Sequence, residues 1–184
     1  MYEHARERTR RYIIEATIGC LVRDGYNKLS VTKIANEADI GRGTFYRYFA
    51  NPDEALLAIC TQYFLSMQDE MHLFMQDYNS PEREILAWEK GFEQAEQLRP
   101  LIDALNHPNA THLATRFRDV MIQGFEASLR TNSFLYPQKM SLPYDVMATF
   151  TAGAVITVMQ KWFAGDLDYS AHELAHMVHK MLYH

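Results

Sequence analysis

Apolar residues recur along this chain at three- and four-residue intervals, and no stretch alternates in the two-residue rhythm of a strand. The spacing predicts an all-α protein. Ile13, Thr17, Cys20 and Leu21 fall on one face of a first helix over about Ala5 to Asp24, which Gly25 ends. Ser30 opens a second. Asn51-Pro52-Asp53-Glu54 is a strong start signal, with Asn as cap, Pro at the first helical position and Glu where a capping box places it. The long helix it opens runs to about Asp77. Ser80-Pro81 begins the next, to about Gln97; Pro100 and Pro108 bracket a short one, Leu101 to Leu105. Further helices are predicted over Ala110 to Arg130 and Tyr144 to Ala164, separated by a Pro-containing loop, Thr131 to Pro143. Gly165 stops the second of these, and Ser170 with Glu173 caps a last one that continues to the end. About nine helices result.

The residues Ile34 to Phe49 hold the most specific pattern. Ile34, Ala35 and Ala38 supply the apolar side of one short helix, Ile40 a plug at the turn, and Phe45 and Phe49 the inner face of the next. Gly41 and Gly43 are expected to permit a close backbone approach at the turn. Once the apolar positions face inward, Arg42, Thr44, Tyr46, Arg47 and Tyr48 point outward. That is the layout of a helix-turn-helix whose second helix enters the major groove. Arg42 suits bidentate contact with guanine, and Thr44 a base or a thymine methyl. Tyr46, Arg47 and Tyr48 suit phosphates, while Thr32 and Lys33 are placed to clamp the backbone.

The stretch from Arg10 to Ile59 resembles the N-terminal domain of TetR-family transcriptional repressors. The match rests on Gly25-Tyr26, Ser30, Ile34-Ala35, Ala38, Ile40-Gly41, Gly43-Thr44-Phe45-Tyr46, Tyr48-Phe49 and the restart at Asn51 with Leu56-Leu57. The resemblance implies groove-facing roles for Arg42, Gly43, Thr44, Tyr46, Arg47 and Tyr48. It also implies a nine-helix fold, a homodimer on a palindromic operator, and release by a small-molecule inducer. One departure stands out: many members have Lys where this chain has Pro52, which shifts weight to Arg6, Arg8, Arg10 and Arg11. The expected division is a DNA-binding head over 1–50 and an effector-binding and dimerisation body over 51–184.

The formal charge of −5 argues against general nucleic-acid affinity, but it is unevenly spread. Residues 1–50 hold nine Lys/Arg against six Asp/Glu, and the remainder nine against seventeen. A basic head on an acidic body fits a DNA reader with a separate sensor. Cys20 and Cys60 sit among apolar residues and read as buried reduced thiols. The N-terminus has no apolar leader-like run, and no segment reaches the length of a membrane span, so no membrane partner and a cytoplasmic location are expected.

In the body, Tyr63, Phe64, Met67, Met71, Trp88, Phe92, Phe117, Met121, Phe125 and Phe150 recur at helical spacing. Met and aromatic side chains at this density suit an adaptable pocket for an apolar or aromatic effector, as well as an ordinary core; a partner protein is the alternative ligand. The last two helices offer Ala154, Val155 and Val158 with Leu174, Met177, Val178 and Met181 as a dimer interface of four-helix type. His172-Glu173-Leu174-Ala175-His176 matches the H-E-x-x-H of zinc peptidases. Glu173 is already the capping partner of Ser170, and no later carboxylate offers a third ligand. No metal, cofactor or catalytic role is therefore assigned, and the chain reads as a regulator rather than an enzyme.

Overall fold

The computed structural model describes residues 2–77, 82–130 and 142–183. Among these residues there are nine α-helices, two single 3₁₀ turns and no strand. The Ser80-Pro81 start signal and the 131–141 part of the expected long loop lie outside the described residues.

Helix α1 (Tyr2–Asp24) begins three residues earlier than the pattern suggests. It ends at Gly25, whose φ of 76° is the left-handed conformation that glycine adopts without strain. A 3₁₀ turn (Tyr26–Lys28) leads into α2 (Val31–Glu37), whose cap Ser30 accepts a hydrogen bond from the Lys33 backbone N–H. Helix α3 (Arg42–Tyr46) is only five residues long. Ile13, Ala16, Cys20, Ile34, Phe45, Phe49 and Ala55 form one small core beneath these helices, with Ala38 and Ile40 packed partly against it.

Helix α4 (Pro52–Asp77) starts on Asn51, whose Oδ1 accepts from the Glu54 N–H at 2.9 Å. The Glu54 side chain does not complete a capping box. It ion-pairs instead with Arg116 of α7 (Thr111–Arg130), because that cation lies beside the first turn of α4. Helices α5 (Arg83–Gln97) and α6 (Arg99–Leu105) follow, and Pro100 lies inside the first turn of α6 rather than outside it. A 3₁₀ turn at Pro108–Ala110 joins α6 to α7. Helix α8 (Tyr144–Ala164) ends at Gly165, again left-handed with φ 82°. Helix α9 (Ala171–Tyr183) opens on a reciprocal cap: Glu173 Oε2 accepts from the Ser170 N–H at 2.8 Å, and Ser170 Oγ accepts from the Glu173 N–H at 3.2 Å.

The body pairs α5 with α9 and α7 with α8, and α4 crosses α7. At that crossing a Cβ on Gly124 would lie 2.5 Å from Phe64 Cε1, so glycine is what lets the two backbones approach. Phe64, Trp88, Phe92, Met121, Phe125, Met147, Val155, Leu174 and Val178 belong to one continuous body core. A third core lies between head and body, where Leu21 of α1 meets Leu56, Ile59 and Cys60 of α4, Leu101 and Leu105 of α6, and Leu113 of α7.

Candidate nucleic-acid interface and internal cavity

Phe45 is fully buried and Phe49 nearly so, their ring centroids 6.0 Å apart. This anchoring turns the rest of the α3 turn outward. Arg42, Gly43, Tyr46 and Arg47 are exposed, and Tyr46 stands edge-on against Phe45 at 5.9 Å between centroids. Arg47 donates to Thr44 Oγ1 at 3.0 Å, which orders its guanidinium over the helix. Arg42 projects from the first position of α3.

The structure corrects several expectations here. Gly41 and Gly43 do not serve internal packing: nothing lies within 4 Å of a Cβ built at either position. Their smallness keeps the outer surface low, not the inner one tight. The left-handed residue of the turn is Asp39, with φ 51°, a conformation Asp tolerates better than most side chains. Thr44 and Tyr48 are half-buried rather than fully exposed, and the Tyr48 ring packs partly against the head core. Lys33 is not free to clamp a phosphate: its Nζ donates to Asp24 Oδ2 at 2.7 Å. That hydrogen bond holds the Asp24 carboxyl below its ordinary value. Thr32 remains exposed on the first turn of α2, as do Arg6, Arg8, Arg10 and Arg11 along α1. Arg10 stacks over the Phe49 ring at 5.6 Å.

The body holds a cavity of about 270 Å³ between α4, α5, α6, α7 and α8. Of the ten aromatic and Met positions singled out by spacing, Tyr63, Phe64, Met67, Phe117 and Met121 line it. Met71, Trp88, Phe92 and Phe125, together with Met67 and Met121, border a neighbouring void of about 50 Å³. Phe150 belongs to neither. It is 67 % exposed on the outer face of α8, because its helical phase matches Val146 and Ala154 rather than the buried Met147 and Thr151. Spacing missed a whole wall of the cavity: Leu98, Leu101, Ile102 and Leu105 on and beside α6, whose i, i+3, i+4, i+7 pattern was legible but carried no aromatic or Met flag. Cys60 also lines the cavity, and burial pushes its thiol up to about 12.

The expected dimer residues divide in two. Val155, Leu174 and Val178 are buried in the chain's own core, and Val158 is half-buried against it, so these four are not offered to a partner. The cause is phase: they face α5 and α7, which the last two helices cover. Ala154, Met177 and Met181 are exposed, along with Val146 and Phe150. The H-E-x-x-H segment is occupied structurally. His172 Nδ1 lies 3.0 Å from Glu89 Oε2, and the Glu173 carboxylate is held low by the Ser170 N–H it caps. Among the described residues no three His, Cys, Asp or Glu side chains gather as a metal would require, and no helix is long and apolar enough to cross a membrane.

Comparison with known proteins follows the same two-part division. Residues 13–59 match the model of bacterial regulatory proteins of the tetR family, and residues 86–184 that of a transcriptional regulator C-terminal region. An uncharacterized HTH-type transcriptional regulator of Haemophilus influenzae is 48 % identical over 44 residues, 24 % of each chain. The aligned part thus spans about a quarter of the length of that curated relative. Solved structures match over nearly the whole fold. The fatty acid degradation regulator FadR of Bacillus halodurans has a TM-score of 0.67 at 21 % identity, with 94 % of this chain and 93 % of that one covered. Thermus thermophilus FadR, a TetR-family repressor solved with lauroyl-CoA, has a TM-score of 0.70 at 16 % identity, with 94 % and 92 % covered. With both segments matched and more than half the chain falling under the C-terminal model, this protein belongs to the TetR family of bacterial transcriptional regulators, not to a family of enzymes.

Proposed function

We propose that the chain is a one-component repressor that binds a palindromic operator as a homodimer and is released by an effector with an apolar body. The observation that carries this reading is the position of α6. Leu101 and Leu105 line the cavity and also belong to the core that holds Leu21 of α1, so whatever fills the cavity presses on the base of the reading head. The head occupies roughly residues 1–50 and the body 51–184, with the first turn of α4 shared, since Ala55 sits in the head core. Arg42 and Thr44 read bases; Tyr46, Arg47, Thr32 and the α1 arginines hold phosphates.

Dimerisation uses the exposed apolar side of α8 and α9: Val146, Phe150 and Ala154 with Met177 and Met181. Two copies then carry two reading helices, which must sit about 34 Å apart to enter successive major grooves. An effector shifts the population toward a state with a different separation, and its influence is limited to its differential affinity for the two states. The apolar lining suits a hydrocarbon chain, the feature that the lauroyl-CoA of the Thermus structure and the stearoyl-CoA of Bacillus subtilis FadR have in common.

Footprinting of the purified full chain on fragmented genomic DNA tests the reading. Protection of inverted repeats with half-sites one helical turn apart is expected. Binding without sequence preference, or protection of single half-sites by a monomer, would overturn it.

A further inference from the structure

The cavity's hydrocarbon lining fixes the ligand's tail; its mouth fixes the head. Tyr63, Ser66, Glu70 and Gln97 form the exposed rim, and among the described residues the lining includes no Lys or Arg. Gln94 Nε2 donates to Glu70 Oε2 at 2.8 Å. This sets the amide's orientation, since a flipped amide would turn its oxygen onto the carboxylate. The Gln94 Oε1 atom is thereby left buried, with no hydrogen-bond partner among the described residues. A buried acceptor without a donor is costly, and a ligand that supplies one removes that cost. Gln94 and Glu70 both line the cavity, so an amide oxygen and a carboxylate lie together there, both of them acceptors and one of them charged.

We propose that the effector is a cationic amphiphile, its ammonium head held by Glu70 and the free oxygen of Gln94, and its unbranched tail directed inward past Phe64 and Phe117. This rests on the reading of the cavity as the effector site and deepens it. An anionic head meets the Glu70 carboxylate and finds no compensating cation in the lining, which sets this chain apart from what a phosphate-bearing thioester needs. The inner end is closed by Met67, Met121 and Met159, which also wall the 50 Å³ void beside Trp88. Unbranched thioethers change rotamer readily, so these three side chains form a partition that a longer tail displaces. Beyond it lies Trp88, whose Nε1 is buried without a partner among the described residues, so its fluorescence reports arrival of the tail.

The test titrates the full chain with dodecylamine, dodecanoate and lauroyl-CoA, each below its micelle threshold, by calorimetry and tryptophan fluorescence. Dodecylamine is expected to bind at least tenfold more tightly than dodecanoate. Shortening the amine is expected to cost about fourfold per methylene. Glu70→Gln should weaken the amine about tenfold, and Glu70→Lys should reverse the preference; both changes are at an exposed rim position that leaves the core intact. Tighter binding of dodecanoate or lauroyl-CoA to the unaltered chain overturns the head-group assignment while leaving the cavity reading in place. If none of the three binds, or if binding ignores both Glu70 variants and Met121→Trp, the cavity reading falls with it.

Discussion

Tyr26 donates its hydroxyl to Asp53 Oδ1 at 3.0 Å, while its ring lies 5.0 Å from that of His107. One side chain thus ties the turn after α1 to the first turn of α4 and to the loop behind α6. Asn109 donates to Asn27 Oδ1 at 3.3 Å beside it, and the Arg116–Glu54 pair holds the same end of α4 from the α7 side. The junction between reading head and body is therefore polar at its edge and apolar at its centre, where Leu21 meets α6.

Burial pushes the Tyr26 hydroxyl up from 10 to about 12, with the Asp53 hydrogen bond and charge adding to it. The folded state thus holds this proton more tightly than the unfolded one. Its contribution is complete below pH 10 and is lost as pH rises toward 12. Tyr26→Phe should flatten that part of the alkaline unfolding profile. At neutral pH it should cost about 0.5–1.5 kcal/mol in denaturant unfolding, for the lost hydrogen bond.

Arg42→Ala should reduce discrimination at one base pair of each half-site by about 1–3 kcal/mol, measured as the spread of affinities over an operator-variant panel. Tyr46→Phe should instead weaken all sequences alike, because a phosphate contact carries no base information. A sequence-dependent loss in the second variant would reassign Tyr46 as a base reader.

Phe150→Asp and Val155→Asp sit five residues apart on α8 and should behave differently. Phe150 is exposed, so its charge should yield folded monomers in sedimentation with unchanged helical circular dichroism. Val155 is 5 % exposed in the chain's own core, and an unpaired carboxylate there should destabilise the fold by several kcal/mol. An intact Phe150→Asp dimer would place the interface on another face.

Gly124→Ala should cost about 1–3 kcal/mol in thermal or denaturant unfolding. The added carbon lies 2.5 Å from Phe64 Cε1 and 2.8 Å from Gln68 Oε1. The Phe64 ring is held edge-on by Phe117 at 6.2 Å and Phe125 at 5.7 Å, so it has little room to retreat. Wild-type stability in this variant would mean that α4 shifts along α7 at little cost.

The helical fold and the reading head were legible because their signals are local. Periodicity gives helices, Asn51, Ser30 and Ser170 give caps, and buried Phe45 and Phe49 determine which neighbours face out. What escaped was anything set by helix phase against a distant partner. Val155 and Phe150 look alike in sequence, yet only α7 decides which is covered. Lys33 reads as a free cation until the end of α1 brings Asp24 beside it. The apolar spacing of α6 is legible, but its place as a wall of the cavity and the Gln94–Glu70 pair arise from packing between helices, which no spacing rule encodes.

Leu101 and Leu105 serve two neighbours at once, the cavity on one side and Leu21 of α1 on the other. Trimming either to admit a bulkier molecule also loosens the seat of the recognition unit. Under the proposed function, retuning what is sensed and preserving how firmly the operator is occupied at rest are not separable by mutation at those two leucines. A lineage acquiring a new signal has an easier route through the rim, where changes at Glu70 or Gln97 leave that shared wall untouched.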